Sequence, residues 1–349
     1  MSTIALVSTQ MQLVNCIEFL FKFNKRIDQL VVLCHSMSRH SQLEMMLDKP
    51  EVRVFFEKIQ FIDLEKQGFK GIVSQYACRK KISVIAKQDV FTEFVIGNNF
   101  PIQNRFFIQQ VAQHCPLCKF YVCDDGLASL SSYDNRIMQL QDKVCAYPVN
   151  SKVLKCVYMF SGVDKFIPRE YTYFTIYNLK DNHVDKYIKN PYMFIRTHPH
   201  LFNHEFIVDD FDTVFLGQPL LQQRLLDLVG FNTYLRYVVN GSSRDRVLYV
   251  AHPQEKIEQC SFDDDLRNRI TIVRFDYPIE AFISMLETKQ IYSFFTSAMV
   301  TLKYMSPTIN LYSIWVKEIM DKGDEYSERV GKVYEYLLSN EIPVIHVRS

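Results

Sequence analysis

The stretch NRFFIQQVAQHCPLCKFYVCDDG, residues 104–126, decides the architecture. Asn104–His114 has helical spacing, and Phe120–Cys123 is a short apolar run that reads as a buried strand. Two acids and a glycine close the unit. The same alternation repeats outward toward the N-terminus. Thr3–Val7, Leu30–Cys34 and Phe91–Ile96 are strand-like, and Val52–Ile62 contains another strand. Gln12–Phe23 carries the helical spacing Leu13, Ile17, Leu20, Phe21, and Gln42–Leu47 is helix-like. Strands of roughly four to six residues separated by helices imply βαβ units and a parallel sheet.

Toward the C-terminus the stretch 150–205 is aromatic and less regular, and then a second alternation begins. Thr213–Leu216, Arg246–Val250, Ile270–Phe275, Ile291–Phe295 and Thr308–Tyr312 read as strands. Leu220–Val229, Ile279–Glu287, Ala298–Met305 and the amphipathic Tyr326–Leu338 read as helices. No repeat period or low-complexity linker is present. The expected fold class is α/β, two Rossmann-like domains in tandem with parallel sheets facing a central cleft. The division is placed at 1–185 and 186–349. In such open sheets ligands bind outside the carboxyl ends of the strands, so the loops after strands are where chemistry is sought.

Composition narrows the classes. The 349 residues suffice for two ordinary domains, and 48% hydrophobic with 23% charged residues is a globular balance. A formal net charge of +1 gives no global field for nucleic acid, and none is expected as a partner. The nine cysteines are odd in number and scattered, several in apolar runs, and read as buried free thiols of a reducing compartment. Cys115 and Cys118 form a CxxC without the second ligand pair a zinc site needs. No metal or cofactor is expected. The opening MSTIALVSTQ reads as a first strand and not a signal peptide, and no apolar run approaches the roughly 20 residues of a membrane span. A cytoplasmic protein is expected, compatible with peripheral contact at the inner membrane face. Oligomeric state is not legible.

Four loops after strands carry candidate chemistry. Asp124-Asp125-Gly126 offers a general base beside a residue that turns sharply, although acids and glycine are also ordinary turn formers. His252-Pro253 places an imidazole at a strand tip, where it can protonate or hydrogen-bond a leaving phosphate. A lone histidine is more often structural. The pair His198-Pro199 follows no strand of the second alternation and ranks below it. Thr296-Ser297 puts hydroxyls at a helix start, where free N–H groups favour an anion, and plain capping is the blander role. Gly217-Gln218 allows close backbone approach and a polar contact, and Glu280 opens another helix, where it also suits the dipole. Two DxD strings, Asp210–Asp212 and Asp263–Asp265, lie away from carboxyl edges and read as solvated turns. An acid pair in the first half, with histidine, hydroxyls, amide and carboxylate in the second, is the division of labour of a two-domain glycosyltransferase.

The pieces STQMQLVN (8–15), YVCDDG (121–126), FLGQPL (215–220), YVAHP (249–253), YPIE (277–280) and FFTSA (294–298) carry a resemblance. In this order the chain resembles bacterial GT-B sialyltransferases, the lipooligosaccharide sialyltransferase and capsular polysialyltransferase group. Its first loop reads Thr-Gln-Met-Gln where Thr-Pro-Leu-Gln is more usual, and Thr296-Ser297 stands where a serine pair is common. The resemblance implies an inverting, metal-independent enzyme moving sialic acid from CMP-sialic acid to a glycan hydroxyl. It implies Asp124 or Asp125 as base, with Asp124 favoured, and His252 as acid or donor to the CMP phosphate. Thr296 and Ser297 would hold that phosphate, and Gly217, Gln218 and Glu280 the cytidine and ribose, with Pro253 stiffening the loop. Thr9, Gln12 and Gly126 would line the cleft. Rival readings are a transferase of another CMP-linked acidic sugar (Kdo, legionaminic or pseudaminic acid), a UDP- or GDP-sugar transferase, and a non-catalytic CMP- or glycan-binding protein.

Overall fold

The structure is a computed structural model that describes residues 2–34, 37–64, 68–99, 101–127, 129–130, 170–179, 183–202, 210–258 and 262–347. The chain divides into two compact units, Met1–Thr197 and His198–Ser349.

The first unit is built on seven strands: β1 Ser2–Val7, β2 Ile27–Cys34, β3 Phe56–Asp63, β4 Phe91–Ile96, β5 Lys119–Cys123, β6 Tyr171–Thr175 and β7 Lys186–Lys189. They pair in the order β3-β2-β1-β4-β5-β6-β7, every pair parallel. Central strands are apolar on both faces because helices cover both sides of a parallel sheet. Ile4–Val7 and Leu30–Leu33 are accordingly buried without alternation. The longer helices beside the sheet are α1 Gln10–Phe23, α2 Met37–Leu47, α3 Gly68–Gln88 and α4 Ile102–His114. Thr9 caps α1 by accepting from the Gln12 amide at 3.2 Å, and Asn24 ends it in the left-handed conformation.

A buried polar strut ties α1 to the last segment of this unit. Glu18 is fully buried, and its two oxygens accept from the Phe194 and Ile195 amides at 2.9 Å each. Those amides are otherwise orphan donors at the start of the short helix α5, Met193–Thr197. Asn15 accepts from Asn190 at 2.9 Å, and Asn190 in turn accepts from the Tyr192 amide at 3.0 Å. Glu18→Ala leaves two buried N–H groups without acceptors, so a loss of about 2–4 kcal/mol in a denaturant titration is expected. Glu18→Gln retains one acceptor and should lose less.

The second unit repeats the plan with six strands: β8 Thr213–Leu216, β9 Val247–Val250, β10 Ile270–Val273, β11 Gln290–Ser293, β12 Asn310–Ile314 and β13 Val344–Ile345. Their order is β10-β9-β8-β11-β12-β13, again parallel throughout. The main helices are α6 Leu228–Gly241, α7 Ser297–Met305 and α8 Glu325–Ser339.

The structure departs from the sequence expectation in identifiable places. The division falls after Thr197, not after 185, because β7 joins the first sheet beside β6. Helix α3 forms where the sequence shows no clear helical stripe, because the exposed Tyr76 and Val84 blur the buried spacing of Cys78, Ile82, Ile85 and Ala86. The helix expected over Leu220–Val229 starts only at Leu228. Arg224 takes a left-handed φ of 56°, and Asp227 is the cap, accepting from the Gly230 amide at 2.8 Å. The aromatic run at 171–175 proves to be β6, an inner strand and therefore not alternating.

Six cysteines among the described residues (Cys16, Cys34, Cys78, Cys115, Cys118 and Cys123) are buried and form no disulfide, and Cys145, Cys156 and Cys260 lie outside those residues. Burial pushes the Cys118 thiol up to about 12, unsuited to redox exchange. No helix among the described residues is long and apolar enough to cross a membrane.

Candidate active site

Each strand order reverses once, between β1 and β4 in the first unit and between β8 and β11 in the second. That reversal opens a crevice at the carboxyl ends, since the flanking connections leave to opposite faces. The sequence-selected residues are at these ends.

In the first unit the loops after β1, β4 and β5 meet at Asp125. Its carboxylate accepts from Asn98 Nδ2 at 2.7 Å and from Thr9 Oγ1 at 3.4 Å, and its amide donates to Ser129 Oγ at 2.8 Å. Asp125 is partly exposed. Asp124 is not: it is 3% exposed, and its Oδ2 accepts from the Ile176 amide beyond β6 at 2.8 Å. Its carbonyl accepts from Asn15 at 2.8 Å. Burial raises the Asp124 carboxyl to about 7, against the lowering pull of Thr175, the Ile176 amide and Lys189. The two neighbours therefore divide, one anchored inward and one held at the opening. Gly126 follows with φ 63°, a backbone state that L side chains resist.

Gln12, expected to line the opening, is buried, and its Oε1 accepts from the Ser8 amide at 2.7 Å. It shapes the first loop from beneath, against Gly97. Thr9 faces Asp125 as well as capping α1. Asn98 was not selected from sequence, although the loop Gly97-Asn98 after β4 meets the same strand-tip rule.

In the second unit, His252 follows β9 and is partly exposed. Its Nδ1 accepts from the Gln254 amide at 3.1 Å, an arrangement that leaves the ring proton on Nε2. Its own amide donates to the buried Glu255 at 2.7 Å, and Glu255 also accepts from Tyr249 at 2.7 Å. Gly217 packs directly onto these two: a Cβ there would collide with the Glu255 carboxylate and the Tyr249 hydroxyl. The close approach read for Gly217 is thus to protein groups. Arg274 braces the same loop, donating to the Glu255 and Ile257 carbonyls at 3.1 Å each. Glu255 and Arg274 had no local sequence signal. Pro253 is exposed beside the histidine.

Gln218, after β8, crosses the switch point: its Oε1 accepts from the Phe295 amide after β11 at 2.9 Å. Thr296 caps α7, accepting from the Ala298 amide at 3.4 Å, and Ser297 is the first helical residue. Glu280, in a 3-10 turn begun by Pro278, is 6% exposed, and burial lifts its carboxyl to about 7. The two DxD strings do not join either group. Asp212 lies at the amino end of β8 and accepts from Ser242 at 2.9 Å, while Asp263 pairs with Arg236 at 2.6 Å. His198 precedes a 3-10 turn at Pro199–Phe202 and His200 lies within it, away from any strand tip.

Glu18, Asp124, Glu255 and Glu280 all have folded pKa values raised to about 7 by burial. The native state then holds more protons than the unfolded chain between roughly pH 4 and 7. Stability should fall as pH rises through that window and level off above it. Glu280→Gln should flatten the slope of unfolding free energy against pH by about one proton and add up to about 3 kcal/mol at pH 8. An unchanged slope would contradict this.

Two parallel-sheet units with polar groups gathered at their switch points define the fold of GT-B glycosyltransferases. Residues 3–314 match the family model described as alpha-2,8-polysialyltransferase (POLYST), and the chain belongs to that family. It is accordingly a glycosyltransferase of the sialyltransferase type. Among solved structures it is similar to the spinosyn forosaminyltransferase SpnP, with TM-score 0.53 and 9% identity over 99% of this chain and 85% of that one. It is also similar to S. aureus MnaA with UDP, with TM-score 0.52 and 10% identity over 98% and 89%. An α/β-galactoside α-2,3-sialyltransferase from Photobacterium phosphoreum matches at TM-score 0.49 and 12% identity over 98% of both chains. No curated protein sequence matches the chain.

Proposed function

We propose that the protein transfers a sialyl residue from CMP-sialic acid to a glycan hydroxyl, with inversion and without a metal at the reacting centre. The observation that carries this reading is Asp125: a partly exposed carboxylate, oriented by Asn98 and Thr9, at the switch point of the first sheet. Such a group can take the proton of an acceptor hydroxyl as it attacks the anomeric carbon. A single displacement by that hydroxyl inverts the carbon. Asp124 is the positioning residue, fixing the turn from inside.

The donor groups belong to the second unit. The reaction passes through an oxocarbenium-like state, and the departing group is a single phosphate already bonded to cytidine. A phosphate monoester with a second pKa of about 6 leaves readily as an anion, so stabilising charge matters more than supplying a proton. His252, with its proton on Nε2, suits a hydrogen-bond donor to that phosphate. The α7 N-terminus with Thr296 and Ser297 supplies further donors. Glu280 suits the ribose hydroxyls, and Gln218, its oxygen engaged by Phe295, would present its NH2 to the base. Lipooligosaccharide or capsular glycan is the acceptor class, inherited from the sequence resemblance.

The experiment is CMP release from CMP-sialic acid with and without lactose-type or oligosialyl acceptors, in EDTA. Acceptor-dependent release supports the reading. Release only with a different CMP-linked acidic sugar reassigns the donor. Tight CMP binding with neither transfer nor donor hydrolysis would make the chain a binding protein.

A further inference from the structure

A cluster at the far strands of the first sheet has no part in the chemistry above. Cys34 ends β2 and Asp63 ends β3, and the two are direct register partners. In a parallel pair, partners in register turn their side chains to the same face. His40, on α2, completes the group: its Nδ1 is 3.0 Å from Asp63 Oδ1. Its ring stacks on Phe61 at 4.3 Å with planes 1° apart. Phe61 sits two residues before Asp63, on the same face of β3, so the stack and the hydrogen bond together lock the imidazole orientation. One ligand atom from each residue lies within 4.8 Å of the others, the one such group of three among the described residues.

We propose that Cys34, His40 and Asp63 form a three-ligand site for a zinc-class divalent cation. A thiolate, an imidazole and a carboxylate are the borderline-soft donor set that zinc takes and magnesium or calcium do not. Zinc–ligand bonds near 2.0–2.3 Å put tetrahedral ligand atoms about 3.3–3.6 Å apart. The His40–Asp63 pair, now at 3.0 Å, need open only slightly, and the sulfur, already within 4.8 Å of the other ligand atoms, closes by at most about 1.3 Å. The Asp63 side chain is 63% exposed, so an ion can reach the buried sulfur from that side. The fourth position stays open to water. On binding, the cation displaces the Cys34 thiol proton, so affinity should rise with pH.

The ordinary alternative is a His–Asp pair over a buried thiol with no ion. What the cation would add is a cross-link between β2, β3 and α2. Helix α2 also touches the first turn of α1, next to its cap Thr9, since Gln10 Nε2 donates to the Gln42 carbonyl at 3.4 Å. The ion therefore acts as a brace behind Thr9, apart from the transfer groups.

Titration of the metal-free full chain with Co²⁺ tests this. About one equivalent should produce a thiolate-to-cobalt charge-transfer band, displaced by Zn²⁺. Zn²⁺ should also raise the melting temperature. His40→Ala, which also loses the Phe61 stack and is therefore compared with its own metal-free melt, should weaken binding at least tenfold, and Cys34→Ser should abolish the band. Cys115→Ser, in the CxxC pair, should leave it intact. No band in the wild-type protein, or a band that survives in both His40→Ala and Cys34→Ser, would overturn the assignment.

Discussion

Asp125→Ala is expected to lower kcat by roughly 10²–10⁴ while the protein stays folded, the usual cost of removing a positioned general base. The variant removes an acceptor from Asn98 and Thr9, but both donors are partly exposed and water can replace it. Stability should therefore change little. Asp124→Asn should behave differently. That carboxylate is enclosed and accepts the Ile176 amide, so a flipped carboxamide loses the acceptor or keeps it with a strained NH2 partner. A lower melting temperature accompanies whatever activity it loses. The sequence resemblance favours Asp124 as the base, and the pair of variants separates the two assignments. A folded, inactive Asp124→Asn beside an active Asp125→Ala would transfer the role inward.

The second large effect concerns His252. His252→Ala should reduce kcat by roughly 10²–10³ with little change in CMP affinity, because the interaction grows as charge develops on the leaving phosphate. Histidine as acid and histidine as donor differ in their prediction for glutamine. Nδ1 is occupied by the Gln254 amide, so the ring enters the reaction with one proton, on Nε2. A carboxamide NH2 can imitate that donor but cannot release a proton. His252→Gln should thus recover much of the activity lost in His252→Ala. Equal inactivity of both variants would restore the general-acid role. Glu255 underlies this loop, holding the His252 amide at 2.7 Å and filling the space that Gly217 leaves.

Much of the site was legible because it obeys a local rule. Asp124-Asp125, His252, Gln218 and Thr296 each follow a short apolar run directly, and such runs are recognisable from a few neighbouring residues. Asn98 obeys the same rule. Which acid of the pair faces outward was not legible. It depends on the Ile176 amide, more than fifty residues later in sequence and brought alongside only when β6 pairs with β5. The helix start at Leu228 was missed for a related reason. Leu220–Leu226 has apolar residues at helical intervals, yet Leu220 and Leu226 are buried from an irregular turn.

By itself, the sequence determined the alternation of strands and helices, the two parallel sheets and the loops that carry polar groups. Hydrophobic periodicity and strand-tip composition are short-range properties, and the covering of both sheet faces follows from them. Only the tertiary structure decided that β1 neighbours β4 and β8 neighbours β11, which brings Thr9 and Asn98 to Asp125 and Gln218 to Phe295. It also decided that Glu18, Asp124, Glu255 and Glu280 lose their water. Strand order and desolvation are set by contacts between residues far apart in the chain, and no window of sequence contains both partners.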